Sequence, residues 1–172
     1  MSSVTSGWAA VDLGALHDEH HAQLRELLFQ TLEHLVVVDV DGARAVFERF
    51  VTELEVGLRL EDDVVMPCYR LHGPAQGPGK PDIVDGDHVI LQRGIESVRG
   101  LLAGPAVLRP LLEGLPHVYR LIATLEHHTE RERRYVYPVV AARLDAADQA
   151  RVVAGLRSVL SETSPPASND QP

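Results

Sequence analysis

Between Leu121 and Val139 (LIATLEHHTERERRYVYPV) the chain carries an apolar stripe with ionisable groups set into it. At helical spacing, Leu121, Leu125, His128, Glu132, Tyr135 and Val139 share one face, and Arg120, Thr124, His127, Arg131 and Arg134 share the solvated opposite face. His128 and Glu132 therefore stand where Leu or Val would normally pack. A buried charge is expensive unless it is paired or coordinates a metal. A His at i and a Glu at i+4 bring an imidazole nitrogen and a carboxylate within reach of one ion. Standing alone, such a pair is weak evidence for a metal, being more often a hydrogen-bonded core histidine or a helical ion pair. The other segments decide between these readings.

Three further segments repeat the pattern. A first helix is expected over about residues 11–37, with Leu13, Leu16, Leu24, Leu27, Leu28, Leu32 and Leu35 on its apolar face. The run HDEHH falls into its first half. His21 points best at the core, His17 lies one turn earlier on the same side, and His20 is next to both. After a turn at Asp39-Val-Asp41-Gly42, with Asp41 as the expected N-cap, a second helix carries Val46, Phe47, Phe50, Leu54, Leu58, Glu61 and Val65 on its stripe. The segment HGPAQGPGKP (72–81) is a linker. A third helix follows, with Val84, His88, Leu91, Ile95, Val98 and Leu102 in line and His88 as the polar member. Residues 103–117 read as a second Pro/Gly-punctuated segment holding at most one helical turn. Asp145 caps a short final helix.

An internal echo links the second and fourth helices. In GLRLEDDVVMP (57–67) and HTERERRYVYP (128–138), a Glu at the fifth position is followed six residues later by a Pro expected to end or kink the helix. The echo places Gly57 where His128 stands in the later copy. Four long amphipathic helices argue for an all-α, antiparallel up-down four-helix bundle over residues 11–143. Residues 1–10 form an N-terminal extension, 144–161 a short C-terminal helix, and 162–172 a disordered tail. Each bundle helix puts a His or Glu on its apolar stripe. One shared metal centre explains this more economically than four separate core pairings. Two glutamates bridging two ions, with imidazoles in terminal positions, suit iron, with manganese or zinc as alternatives.

Composition narrows the partners. A net charge of −9 with no basic run argues against nucleic acid and anionic membranes. Cys68 is the single cysteine, which excludes an internal disulfide and suits a reducing, cytoplasmic setting. Neither a signal-peptide pattern nor an 18-residue apolar run is present. Lys80 is the only lysine among many arginines, which points to a GC-rich bacterial source.

Together these residues resemble the hemerythrin-like, or HHE cation-binding, proteins over about residues 10–143. The resemblance rests on a His in the first helix, a Glu with an apolar-Pro pair in the second, a His in the third, and His-x3-Glu with an aromatic-Pro pair in the fourth. His21 matches the first position, with His20 as the register alternative. Glu61 with Met66-Pro67 matches the second, His88 the third, and His128 and Glu132 with Tyr137-Pro138 the fourth. The resemblance implies that Glu61 and Glu132 bridge two irons (one ion being the alternative) while His21, His88 and His128 bind terminally.

Two positions depart from the pattern. The second-helix histidine is Gly57, and a further third-helix histidine found in oxygen carriers is Gln92. In the family the first- and second-helix histidines serve the same metal. His17, chelating from one helix with His21, and Glu53, one turn before Gly57, are the available compensations. Alternatively the glycine leaves an unfilled space beside the metal. So eroded a ligand set argues against reversible oxygen carriage. It leaves reaction with O2, peroxide or nitric oxide, or oxidation of a small molecule at an open metal position, by a monomer or homodimer. If the protein is an enzyme, it is a non-haem diiron oxidoreductase. Tyr135, one turn after Glu132, is then the candidate to hydrogen-bond a metal-bound oxygen or relay an electron. The competing expectation is a bundle with a degenerate site, serving as an interaction or ligand-sensing module.

Overall fold

The computed structural model describes residues 12–104 and 106–161. The expected N-terminal extension and C-terminal tail lie outside them. The chain forms α1 (Leu13–Val36), α2 (Val40–Leu60), α3 (Met66–His72), α4 (Pro81–Leu102), α5 (Leu108–Arg131), α6 (Tyr137–Val140) and α7 (Ala146–Ser161). Among the described residues there is no strand, and no helix is long and apolar enough to cross a membrane.

Four rods run up and down: α1, then α2 continued by α3, then α4, then α5 continued by α6. Arg25 pairs with Glu126 while His17, two turns earlier, meets Glu132, so α1 and α5 are antiparallel. α1 packs on α2 and α5, α4 on α5 and α2, and α7 lies across α1 and α2. Local signals set the ends. The Asp12 carboxylate accepts from the Ala15 N–H at 3.1 Å and starts α1. Asp39, rather than the expected Asp41, caps α2 by accepting from the Gly42 N–H at 3.0 Å. Asp145 caps α7, accepting from the Asp148 N–H at 2.8 Å.

Two prolines expected to end helices do not. The helix from Val40 passes through a π turn at Glu61–Val65 and continues into α3, and the helix from Leu108 passes through a π turn at Glu132–Val136 into α6. Proline lacks an N–H and its ring crowds the carbonyl four residues back. Widening the turn relieves both problems just upstream. Met66 N–H bonds to Glu61 O, Tyr137 N–H bonds to Glu132 O, and Pro67 and Pro138 then sit in the first turn of the next helical piece. The second Pro/Gly-punctuated segment is also more helical than expected. α5 begins at Leu108 and carries Pro116 inside it.

The apolar core comes in two parts. One contains Leu24, Leu28, Phe47, Phe50, Leu54, Leu91, Ile95 and Leu125. The other contains Leu13, Leu16, Val64, Val65, Val84, Val136, Tyr137, Val140, Val152 and Leu156, so α7 covers this end of the bundle. Between them, on every rod, lies a break in the apolar stripe: His17 to His21 on α1, Glu61 after α2, Asp87-His88 on α4, and His128 to Glu132 on α5 and its π turn. Burying a leucine is worth about 1.5–3 kcal/mol. The two apolar parts thus stabilise the bundle around a polar layer that would not assemble alone.

Candidate metal centre

The polar layer gathers six of the side chains singled out by sequence. Two groups have ligand atoms within 4.8 Å of one another: His17, His21, Glu61 and Glu132, and Glu61, His88, His128 and Glu132. Both carboxylates belong to both groups. Each imidazole turns its Nε2 toward them. His17 Nε2 lies 2.8 Å from Glu132 Oε2, His21 Nε2 3.8 Å from Glu132 and 4.0 Å from Glu61, His88 Nε2 3.2 Å from Glu61, and His128 Nε2 3.2 Å from Glu132.

A second ring of side chains fixes three of these imidazoles from behind. The Thr129 hydroxyl donates to the Leu125 carbonyl at 2.7 Å, so its oxygen accepts from His21 Nδ1–H at 2.6 Å. That leaves His21 Nε2 with its lone pair facing the carboxylates. The Asp18 carboxylate accepts from His17 Nδ1 at 3.3 Å, and Asp62 lies 3.2 Å from His88 Nδ1. Arg131, expected on the solvated face, is instead half-buried and pairs with buried Asp87 beside the layer.

Burial shifts the titrating groups in opposing directions. It pushes the Glu61 carboxyl up to about 7, helped by the charge of Glu132, and lifts Glu132 to about 8. It drives His21 and His128 well below the usual histidine range, with neighbouring imidazoles adding to the shift. Burial would also lower His88, but the Glu61, Glu132 and Asp62 carboxylates outweigh it and raise His88 to about 9. In the metal-free protein the proton on Glu132 thus has an acceptor in His17 Nε2, whose other nitrogen donates to Asp18.

Hydrogen bonding does not satisfy the layer. Glu132 Oε1 and both nitrogens of His128 are buried without a hydrogen-bond partner, and Glu61 Oε2 and His88 Nε2 meet each other as an ion pair at 3.2 Å outside hydrogen-bond geometry. Buried polar atoms are nearly always paired, and a cluster of unpaired ones calls for an explanation. A cation meets the need of this donor set. It favours the anionic form of both carboxylates and takes up the imidazole lone pairs. The residues present therefore fit a metal.

The comparisons with known proteins agree. The hemerythrin HHE cation-binding domain profile matches residues 13–140, which spans all four rods. The chain belongs to this hemerythrin family. Metal binding goes with the family, and the two His/Glu groups are where the fold can hold it. No curated protein and no solved structure matched the chain.

Three expectations are corrected by the packing. Tyr135 is not brought to the layer. The π turn advances the helix by one residue, so Val136, Tyr137 and Val140 become buried while Tyr135 packs half-exposed over Gly79. Tyr137 takes the inner place, its ring 4.3 Å from His17, with its hydroxyl pKa pushed well above the usual value by burial and then by the two glutamates. Glu53 is buried but turned away, held by Arg49 at 2.8 Å and by Gln23. The space beside Gly57 is filled by His20, whose Cε1 would lie 2.7 Å from a Cβ at that position. Burial, and then His17, lower the His20 pKa to about 4.

Thr129, Asp18, Asp62 and Tyr137 were missed as partners of the site. Thr129 and Asp62 sit beside ligands in sequence, and Tyr137 precedes the repeated Pro. The Glu-to-Pro echo was the signal for Tyr137, because a helix that continues past such a proline has to change register.

Proposed function

We propose that this chain is a non-haem diiron protein that reacts with O2, peroxide or nitric oxide. In this reading His17 and His21 serve one ion, His88 and His128 the other, and Glu61 and Glu132 both. The carrying observation is the convergence of four Nε2 atoms on two shared, buried carboxylates with unpaired oxygens. The loss of a histidine at Gly57 is then compensated by His17, so each ion keeps two imidazoles. A mixed imidazole and carboxylate set suits iron, with manganese as the redox-active alternative and zinc, which has no redox chemistry, unsuited to this reading.

When bound, the iron pair supplies one- and two-electron chemistry, and four protein donors per ion leave room for an exogenous ligand. The residues around it do the rest. Thr129, Asp18 and Asp62 hold His21, His17 and His88 in the orientation that presents Nε2. Leu24, Leu125, Val65 and Val136 close the layer from above and below and exclude bulk water. Two surface grooves approach from the sides. One of about 420 Å³ between α1 and α5 reaches His21, and one of about 350 Å³ between α2 and α4 reaches His88, with Gln92 at its rim. Both are of a size for small molecules and are edged with charge, which favours small polar ligands over apolar ones.

The test is metal content per chain on protein grown with iron and purified without chelating resin, with an ultraviolet–visible spectrum before and after peroxide. Near two irons, with a charge-transfer band that peroxide alters, is the expected result. A folded helical protein holding no metal would overturn it and favour an interaction module.

A further inference from the structure

Asp87 and Arg131 form an ion pair between α4 and α5 at the edge of the polar layer, with side chains only 9% and 12% exposed. Arg131 also donates to His127 Nε2 at 2.5 Å, and its Nη1 lies 3.5 Å from the Ile83 carbonyl, one turn before Asp87. Among the described residues, Arg131 makes the only hydrogen bonds and the only ion pair between α4 and α5. The rest of that seam is apolar, with Leu91, Ile95, Val98 and Leu102 on α4 and Val118, Leu121 and Leu125 on α5. Such stripes at 3/4 spacing pack comparably in neighbouring registers. They hold two helices together without fixing how far one is slid along the other.

We propose that Asp87 and Arg131 are the positioning pair of the half-site formed by His88 and His128: by fixing α4 against α5 they set how the two imidazoles meet. Asp87 immediately precedes His88, and Arg131 lies one turn after His128. On each helix the charged partner thus shares a short stretch of backbone with an imidazole. The two rings stand edge-on at 5.1 Å, a distance that neither helix sets by itself. Stability alone gives no reason for these charges. Two ions this buried lose hydration that their attraction only about restores, and a well-packed apolar pair would join the helices as firmly. What an apolar pair lacks is a preferred register, and holding register is the best-attested use of a buried polar contact. His127 completes the device. A guanidinium has only donors, so His127 Nε2 accepts, which anchors Arg131 to its own helix while it reaches across to Asp87. The pair positions ligands only if the layer binds two ions, so this inference rests on the dinuclear reading above.

The experiment uses the full chain loaded with iron, with affinities measured by chelator competition and the two irons distinguished by Mössbauer spectroscopy, the doublets being assigned by comparison with His128→Ala. The double variant Asp87→Leu with Arg131→Met replaces both ions by apolar groups, so that neither charge is left stranded. Arg131→Lys keeps a cation opposite Asp87. Circular dichroism gives the fold and the metal-free Tm of each. The double variant is expected to keep its metal-free Tm, to bind the ion of His88 and His128 about tenfold or more weakly with a broadened doublet, and to leave the other ion and doublet unchanged. Arg131→Lys is expected to stay closer to the unmodified protein. Both affinities and both doublets unchanged in the double variant would reduce the pair to packing and overturn the proposal. A lowered metal-free Tm with both ions weakened alike would make it a general stabiliser and overturn the proposal as well. If the unmodified chain binds two irons in that experiment, only this inference falls. If the unmodified chain binds none, the dinuclear reading falls with it.

Discussion

The two halves of the polar layer are built differently. On one side His17 and His21 are one turn apart on α1, so the helix itself sets their spacing before any tertiary contact forms. On the other, His88 comes from α4 and His128 from α5, and their rings meet edge-on at 5.1 Å only because the two helices dock. The backing differs too. Both α1 imidazoles have their Nδ1 held, by Asp18 and Thr129, whereas His128 is unpaired at both nitrogens. A pair preset by one helix tolerates loosening of the bundle, while a pair drawn from two helices reports on it. The spacing of the His88 and His128 imidazoles is thus set by helix docking, whereas that of His17 and His21 is set within α1, although both pairs share the carboxylates of Glu61 and Glu132.

The largest effect is expected from Glu132→Gln, which removes a carboxylate common to both groups. Iron per chain measured by plasma spectrometry should fall from near two to near zero. Retention of one ion would mean that the halves are independent. Next, His17→Ala and His128→Ala should each leave about one iron, but not the same one. The Mössbauer doublet lost in one variant should be the doublet kept in the other.

Proton linkage gives a third contrast. Folding without metal raises Glu61 from 4.5 to about 7, Glu132 from 4.5 to about 8, and His88 from 6.5 to about 9. In each case the folded state keeps a proton that the unfolded chain releases. This stability is fully present at low pH and lost as pH rises through the folded values. The histidines with lowered pKa act in the opposite sense, adding stability as the unfolded imidazoles lose their protons around 6.5, and they cancel out of the balance above about 7.5. The metal-free protein should therefore lose on the order of 5 °C in Tm between about pH 7.5 and 9. Iron-loaded protein should change much less, because the protons have been displaced. Equal slopes with and without iron would mean that the metal does not sit among these groups.

A smaller effect should come from Thr129→Val, which deprives His21 Nδ1 of its acceptor. It is expected to weaken the ion on the α1 side by about 10–100-fold, with Thr129→Ser close to the unmodified protein. Asp18→Asn, at a half-exposed carboxylate with a longer 3.3 Å contact, should change the same affinity by less than about threefold.

Much of this architecture was legible in the sequence, because apolar stripes at 3/4 spacing mark helices and a His or Glu within a stripe marks a buried polar position. His21, Glu61, His88, His128 and Glu132 were visible on that basis. What escaped depends on register and on contacts between helices. Tyr135 and Tyr137 exchange places because a π turn adds a residue that no stripe reveals in advance. Arg131 looks solvated by periodicity, yet Asp87 on another helix draws it in. The recess at Gly57 looked open because its occupant, His20, comes from a different rod. Glu53 looked available because the stripe does not show that Arg49 and Gln23 hold its carboxylate away from the layer.

The two π turns also decide where this chain can change length. In a helix of 3.6 residues per turn, one residue more or less rotates everything beyond it by about 100°. Elsewhere in the bundle such a change would scramble a whole rod. At 61–65 and 132–136 the surplus residue is already stored immediately after a glutamate, below the layer. Deleting Arg134 would close its turn to plain α-helix, with the Tyr137 N–H to Glu132 carbonyl bond becoming an ordinary helical one, and would leave His128 and Glu132 above the joint and Tyr137 below it in register. Length variation in these two rods is therefore confined to two joints.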